Sequence, residues 1–245
     1  MKNLYEGILG DIETNINRSD DYIILYEFVK CLSESEIYNE DKLTDEELHS
    51  VLSLAMNNGV LKYKNGELYC NYDNARKIKS NSNNKDAMHN MFGLIFSSVG
   101  ININANELPK SLKKIIYEDL DDLSINLVKT NDISSIDLKL TKPSAMLRIY
   151  AADDIHNDII KLGKVDCGRL RICENNNYSS PAGISIKPGS SIDTLDLSKC
   201  KNKGFVLDGL KLNNVKPKDI IINMQVFSNT LKKAGIQSNL KINVE

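Results

Sequence analysis

Along the first hundred residues the apolar positions return at the period of a helix, and from about residue 136 they return at every second position. Leu4, Ile8, Ile12 and Ile16 make one stripe, and Leu25, Phe28, Val29 and Leu32 make a second behind the acidic pair Asp20 and Asp21. A third helix is expected over "LTDEELHSVLSLAMNNG", where Thr44 and Glu47 stand at capping-box spacing, Leu48, Val51, Leu52 and Ala55 form the stripe, and Gly59 closes it. In "VLKYKNGELYC" Leu61 and Tyr63 alternate before Asn65-Gly66, and Leu68 and Cys70 alternate after it, which predicts a β-hairpin. The polar stretch "KSNSNNKD" follows as a linker, and then "AMHNMFGLIFSSV" and "LPKSLKKIIYEDLDDL" read as two more helices, the latter with Leu112, Ile115, Ile116 and Leu120 on one side.

After that the pattern becomes apolar-x-apolar. Leu138 and Leu140, Leu147 and Ile149, Leu170 and Ile172, Ile184 and Ile186, Leu195 and Leu197, and Leu210 and Leu212 are such pairs, separated by polar or glycine-containing segments. Short strands with one buried face, repeated with turns between them, predict a β-solenoid or a small sandwich. In "NMQVFSNTLKKAGIQ" Met224, Phe227, Leu231 and Ala234 recur at helical spacing, so a terminal helix covering the last strand is expected. The expected fold class is α+β. A winged-helix-like helical domain covers 1–79, a linker 80–86, a helical connector 87–130 and a β-rich, solenoid-like domain with its terminal helix 131–245.

Two resemblances sharpen this layout. Divided in fives, residues 195 to 219 read LDLSK, CKNKG, FVLDG, LKLNN, VKPKD, with Leu195, Cys200, Phe205, Leu210 and Val215 at one position and Leu197, Asn202, Leu207, Leu212 and Pro217 two further on. This resembles the pentapeptide-repeat family, which implies a right-handed β-helix that turns one side per five residues. The family prefers a small residue at the first of these positions, and here that residue is mostly large. The order of three helices and a hairpin over residues 4 to 79 resembles a winged-helix domain.

Charge decides how that second resemblance is used. Residues 1 to 80 hold 9 Lys or Arg against 15 Asp or Glu, and the would-be recognition helix carries Asp45, Glu46 and Glu47 with no basic residue between Thr44 and Gly59. A helix meeting phosphates needs the opposite sign, so DNA binding is disfavoured and a protein-docking or purely structural winged helix is expected. The whole chain has a formal net charge of -2, which gives no general attraction to nucleic acid or an anionic membrane. No basic start followed by an apolar run marks a secretory signal, and no apolar stretch approaches the roughly 20 residues of a membrane span. The expected place is the cytoplasm, or outside the cell by a route without a cleaved signal.

Reactive constellations are sparse. Cys167 with His156, oriented by Asp153, Asp154 or Asp158, is the strongest candidate for nucleophilic catalysis, while "KVDCGRL" reads equally as a strand with an inward cysteine. Cys31, Cys70, Cys167, Cys173 and Cys200 are an odd, scattered set and are expected as free thiols. His49 and His89 lack a second ligand at metal spacing, "SSPAG" and "KPGSS" do not continue into a phosphate loop, and no metal or cofactor is expected.

Three functions follow in order. The first is a non-enzymatic protein-binding module with contacts at Asp45, Glu46 and Glu47 and at the hairpin tip, Lys64 and Asn65. Its layout is similar to bacterial effectors carrying pentapeptide repeats that act on a host protein. The second is a winged-helix transcription regulator with a C-terminal sensing or dimerisation domain, and the third is a cysteine-dependent enzyme using Cys167 and His156.

Overall fold

The computed structural model describes residues 20–35, 42–78, 85–152, 158–173, 181–200, 210–223 and 239–243. The helix expected over Leu4 to Ile16, the terminal helix over Met224 to Ala234 and the catalytic candidate His156 lie outside the described residues.

Helix α1 (Asp20–Glu34) buries Leu25, Phe28, Val29 and Leu32, and α2 (Asp45–Asn57) buries Leu48, Val51, Leu52 and Ala55, so both stripes face the core as their spacing requires. The capping box of α2 is closed in both directions. The Thr44 hydroxyl accepts from the Glu47 amide at 3.3 Å, and the Glu47 carboxylate accepts from the Thr44 amide at 2.8 Å. Strands β1 (Leu61–Lys64) and β2 (Glu67–Asn71) form the expected antiparallel hairpin, with Asn65 at φ 53° and Gly66 at φ 86° in its turn. Two positive φ values in succession suit a two-residue hairpin loop, which is why Asn-Gly occurs there. Short helix α3 (Tyr72–Lys77) and α4 (Lys85–Ile95) complete the helical part.

The remaining strands are β3 (Ile101–Ile103), β4 (Lys114–Glu118), β5 (Asp122–Leu127), β6 (Asp132–Ile133), β7 (Asp137–Leu140), β8 (Met146–Tyr150), β9 (Ile159–Leu162), β10 (Val165–Cys173), β11 (Gly183–Ile186), β12 (Ser191–Lys199), β13 (Leu210–Lys211), β14 (Asp219–Asn223) and β15 (Asn239–Asn243). They coil into a β-solenoid of about four turns. Every strand pair among them is parallel, and the chain visits three sides in rotation. The first side stacks β4, β7 and the starts of β10 and β12. The second stacks β3, β5, β8, the ends of β10 and β12, then β14 and β15. The third stacks β6, β9, β11 and β13.

Register makes the core. On the second side Leu123, Leu147, Leu170, Leu195 and Ile220 stand in one inward row, at successive separations of twenty-three to twenty-five residues, and none is more than 2% exposed. Leu68, Ile115, Leu138 and Val165 form the equivalent row on the first side. The apolar-x-apolar pairs are therefore the two inward positions of one rung, and the polar segments between them are corners. At two corners the coils approach so closely that no side chain fits. A Cβ on Gly163 would overlap the carbonyl of Ile136, and one on Gly168 the carbonyl of Pro143.

Two expectations change in the light of the structure. The helix expected over "LPKSLKKIIYEDLDDL" is a turn followed by β4 and the start of β5, with Asp119 at φ 61° between them. Ile115, Ile116 and Tyr117 are all buried, two of them β-branched, and their contiguous burial imitated a helical stripe. The winged-helix assignment is not confirmed. The outer edge of β2 pairs in parallel with β4, from Glu67 opposite Lys114 to Asn71 opposite Glu118, and the Gly66 carbonyl accepts from the Lys113 and Lys114 amides at 2.7 and 3.1 Å. The hairpin is thus the first rung of the solenoid's first side, and α1 and α4 pack on β3, the first rung of its second side. Tyr72, Phe96 and Tyr117 stack edge to face from α3 and the end of α4 onto β4, inside one continuous apolar core.

Candidate functional site

Parallel, in-register stacking places like positions about 4.8 Å apart on the outer surface, so each outward residue belongs to a row that runs across the coils. The second side carries the most distinctive rows. One reads Ser124, Arg148, Arg171, Asp196, and beside it runs Asp122, Met146, Arg169, Thr194, Asp219. A third holds Asn102, Asn126, Tyr150, Cys173 and, past a bulge, Lys199. The chain has five arginines against 26 lysines, and three of the five meet here on two neighbouring rungs.

Carboxylates brace these guanidinium groups. Asp196 is fully buried, and its Oδ2 accepts from Arg169 Nη2 at 2.6 Å, Arg169 Nε at 3.1 Å and Arg171 Nε at 2.7 Å. Its Oδ1 accepts from the Ser198 amide and hydroxyl at 3.0 and 2.7 Å. Burial pushes this carboxyl up, but the Ser198 bonds and the Arg171 charge outweigh it and hold it below the ordinary range. One rung away, Arg148 Nη1 donates to Asp122 at 2.6 Å. The three arginine side chains keep 21 to 32% of their surface exposed. Among the described residues the Nη groups of Arg171, and Nε and Nη2 of Arg148, donate to nothing. Three guanidinium groups against the two carboxylates that brace them leave this cluster of five side chains one charge positive.

Cys173 lies in the next row, opposite Tyr150 of the neighbouring rung. Burial raises its thiol, while Tyr150 and then Arg171 and Arg148 pull it back. Cys167, by contrast, sits in β10 at 8% exposure, and burial pushes its thiol to about 12, with Asp166 adding to the rise. A group in that state carries almost no thiolate at neutral pH. Asp158 precedes β9 in the third side and accepts from the Ile159 amide. All five cysteines are free and buried.

No family model, no curated protein and no solved structure matches the chain.

The other sequence candidates sit at the capped end. Asp45, Glu46 and Glu47 are exposed in the first turn of α2, where Glu47 serves the capping box and Asp45 accepts from the Tyr26 hydroxyl at 2.7 Å. Tyr26 stacks on His49 with ring centres 4.7 Å apart, and His49 Nδ1 lies 2.6 Å from the Tyr22 hydroxyl, so His49 is held in an aromatic cluster between the two helices. Lys64 and Asn65 are exposed at the hairpin tip, on the first side of the solenoid, whereas the arginines are on the second. The structure does not join the α2 acids to the arginine rows. Among the described residues no group of three or more His, Cys, Asp or Glu is placed to hold a metal, and no helix is long and apolar enough to cross a membrane. The arginines escape sequence reading because a row exists only once the coil length is known. A trace of it is present: Leu-Arg-Ile occurs at 147–149 and again at 170–172.

Proposed function

We propose that the protein is a non-enzymatic binding module, a β-solenoid with a helical cap whose second side docks a protein partner through Arg148, Arg169 and Arg171. The observation that supports it is the bracing of these side chains. Asp196 and Asp122 fix the guanidinium groups on a rigid stack of strands, so little freedom is lost when a partner engages them, and pre-positioned arginine is a frequent anchor of protein interfaces. The resemblances to pentapeptide repeats and to a winged helix stay within this proposal at the level of layout, a cap followed by coils. The acidic turn Asp45 to Glu47 and the tip Lys64 and Asn65 are secondary contact points in the same reading.

The test is capture of partners by the full chain on beads, run beside a variant carrying Arg148→Glu and Arg171→Glu whose fold is checked by circular dichroism. A partner retained in stoichiometric amount by the native chain and lost by the variant is the expected result. An identical captured set from both chains would remove the arginine side from the proposal.

A further inference from the structure

Resting on that reading, we infer that the partner is recognised through a pair of carboxylates in an acidic peptide segment, each received by one guanidinium fork, those of Arg148 and Arg171. The two residues are direct register neighbours on β8 and β10, so their Cα atoms stand about 4.8 Å apart. Among the described residues each is tethered through one nitrogen, Arg148 through Nη1 to Asp122 and Arg171 through Nε to Asp196. A guanidinium has five N–H donors in a planar fork, and a carboxylate matches two of them at once. The tether orients each fork without using it up. Both side chains remain about a quarter exposed, which excludes much of the competing water while leaving a path of entry.

The carboxylates around the two forks are already engaged: Asp122 braces Arg148, Asp121 pairs with Lys142 at 3.0 Å and Asp193 with Lys218 at 2.8 Å. Two adjacent guanidinium forks fit a pair of carboxylates on one acidic segment, and the oligothymidine comparison below separates that match from attraction to any polyanion.

The probe is a fluorescein-labelled hexaglutamate peptide, with hexaglutamine and a labelled oligothymidine as comparisons, followed by fluorescence anisotropy on the full chain at low and physiological salt. Binding of hexaglutamate over both comparisons, weakened about tenfold or more by Arg148→Gln and partly by Arg148→Lys, is the expected outcome. The same pair of changes at Arg171 should act alike, and Lys62→Gln on β1 should have no effect. Equal weakening by Lys62→Gln would show general charge attraction and overturn the inference, as would tighter binding of oligothymidine or no binding of hexaglutamate by the native chain. If hexaglutamate fails while partner capture still depends on Arg148 and Arg171, only the acidic-segment inference falls. If capture is also independent of them, the docking side falls with it.

Discussion

Replacing Asp196 by Ala tests the brace directly. The substitution removes three hydrogen bonds from guanidinium nitrogens and two from Ser198, all to a carboxylate that has no exposed surface. Removing one partner of a buried ion pair costs about 3–5 kcal/mol, because the remaining charge is stranded. Arg169 and Arg171 are 32 and 21% exposed and can turn toward water, which places the loss at the lower end, about 3 kcal/mol. In a chain of this size that is a fall in Tm of roughly 6–12 °C. Urea unfolding at neutral pH, with Asp196→Asn beside Asp196→Ala, gives the measurement. The pH dependence carries a second check. The carboxyl of Asp196 is lowered on folding, so its contribution is complete above its unfolded value of about 3.9 and is lost as pH falls through the folded value. The gap between the native chain and Asp196→Asn must therefore narrow on acidification below about pH 4. A loss under about 1 kcal/mol at neutral pH, or a gap that widens in acid, would refute the brace.

Other consequences are simpler to measure. Gly168→Ala forces a Cβ against the Pro143 carbonyl, so backbone must move, and a loss of about 2 kcal/mol or more in denaturant unfolding is expected, while Gly93→Ala, with open space at its Cβ, should stabilise or leave stability unchanged. Leu170→Ala empties the middle of the inward row and should cost about 2–5 kcal/mol, against about 1 kcal/mol or less for Lys161→Ala, which breaks an exposed pair with Asp132. The five buried thiols should be unreactive to a thiol reagent in the native state and all titrate after denaturation, and a fast native reaction of Cys167 at neutral pH would contradict its burial.

What was legible in the sequence was local. The capping box of α2 and the Asn-Gly hairpin depend on residues within a few positions of one another, and both stand where their spacing placed them. The apolar-x-apolar pairs announced strands because a rung of a solenoid buries two alternate positions, as at Leu147 and Ile149. Ile115 and Ile116 imitate a helical stripe in the sequence because burial of consecutive residues on a strand leaves no period of two. The arginine rows were hidden for another reason. Arg148, Arg171 and Asp196 become neighbours only through coils of unequal length, and no local rule brings residues twenty-three and twenty-five positions apart together.

The antiparallel hairpin that supplies the first rung also bears on how the chain acquires its shape. A hairpin closes in about 1–10 μs from residues adjacent in sequence, whereas a parallel strand must wait for its partner to be brought round a loop. With β2 already in place, β4 finds a finished edge, β7 then finds β4, and each later coil needs only the one before it. The cap thus offers a ready edge at the start of the solenoid, and on the first side each strand added in chain order meets the rung before it.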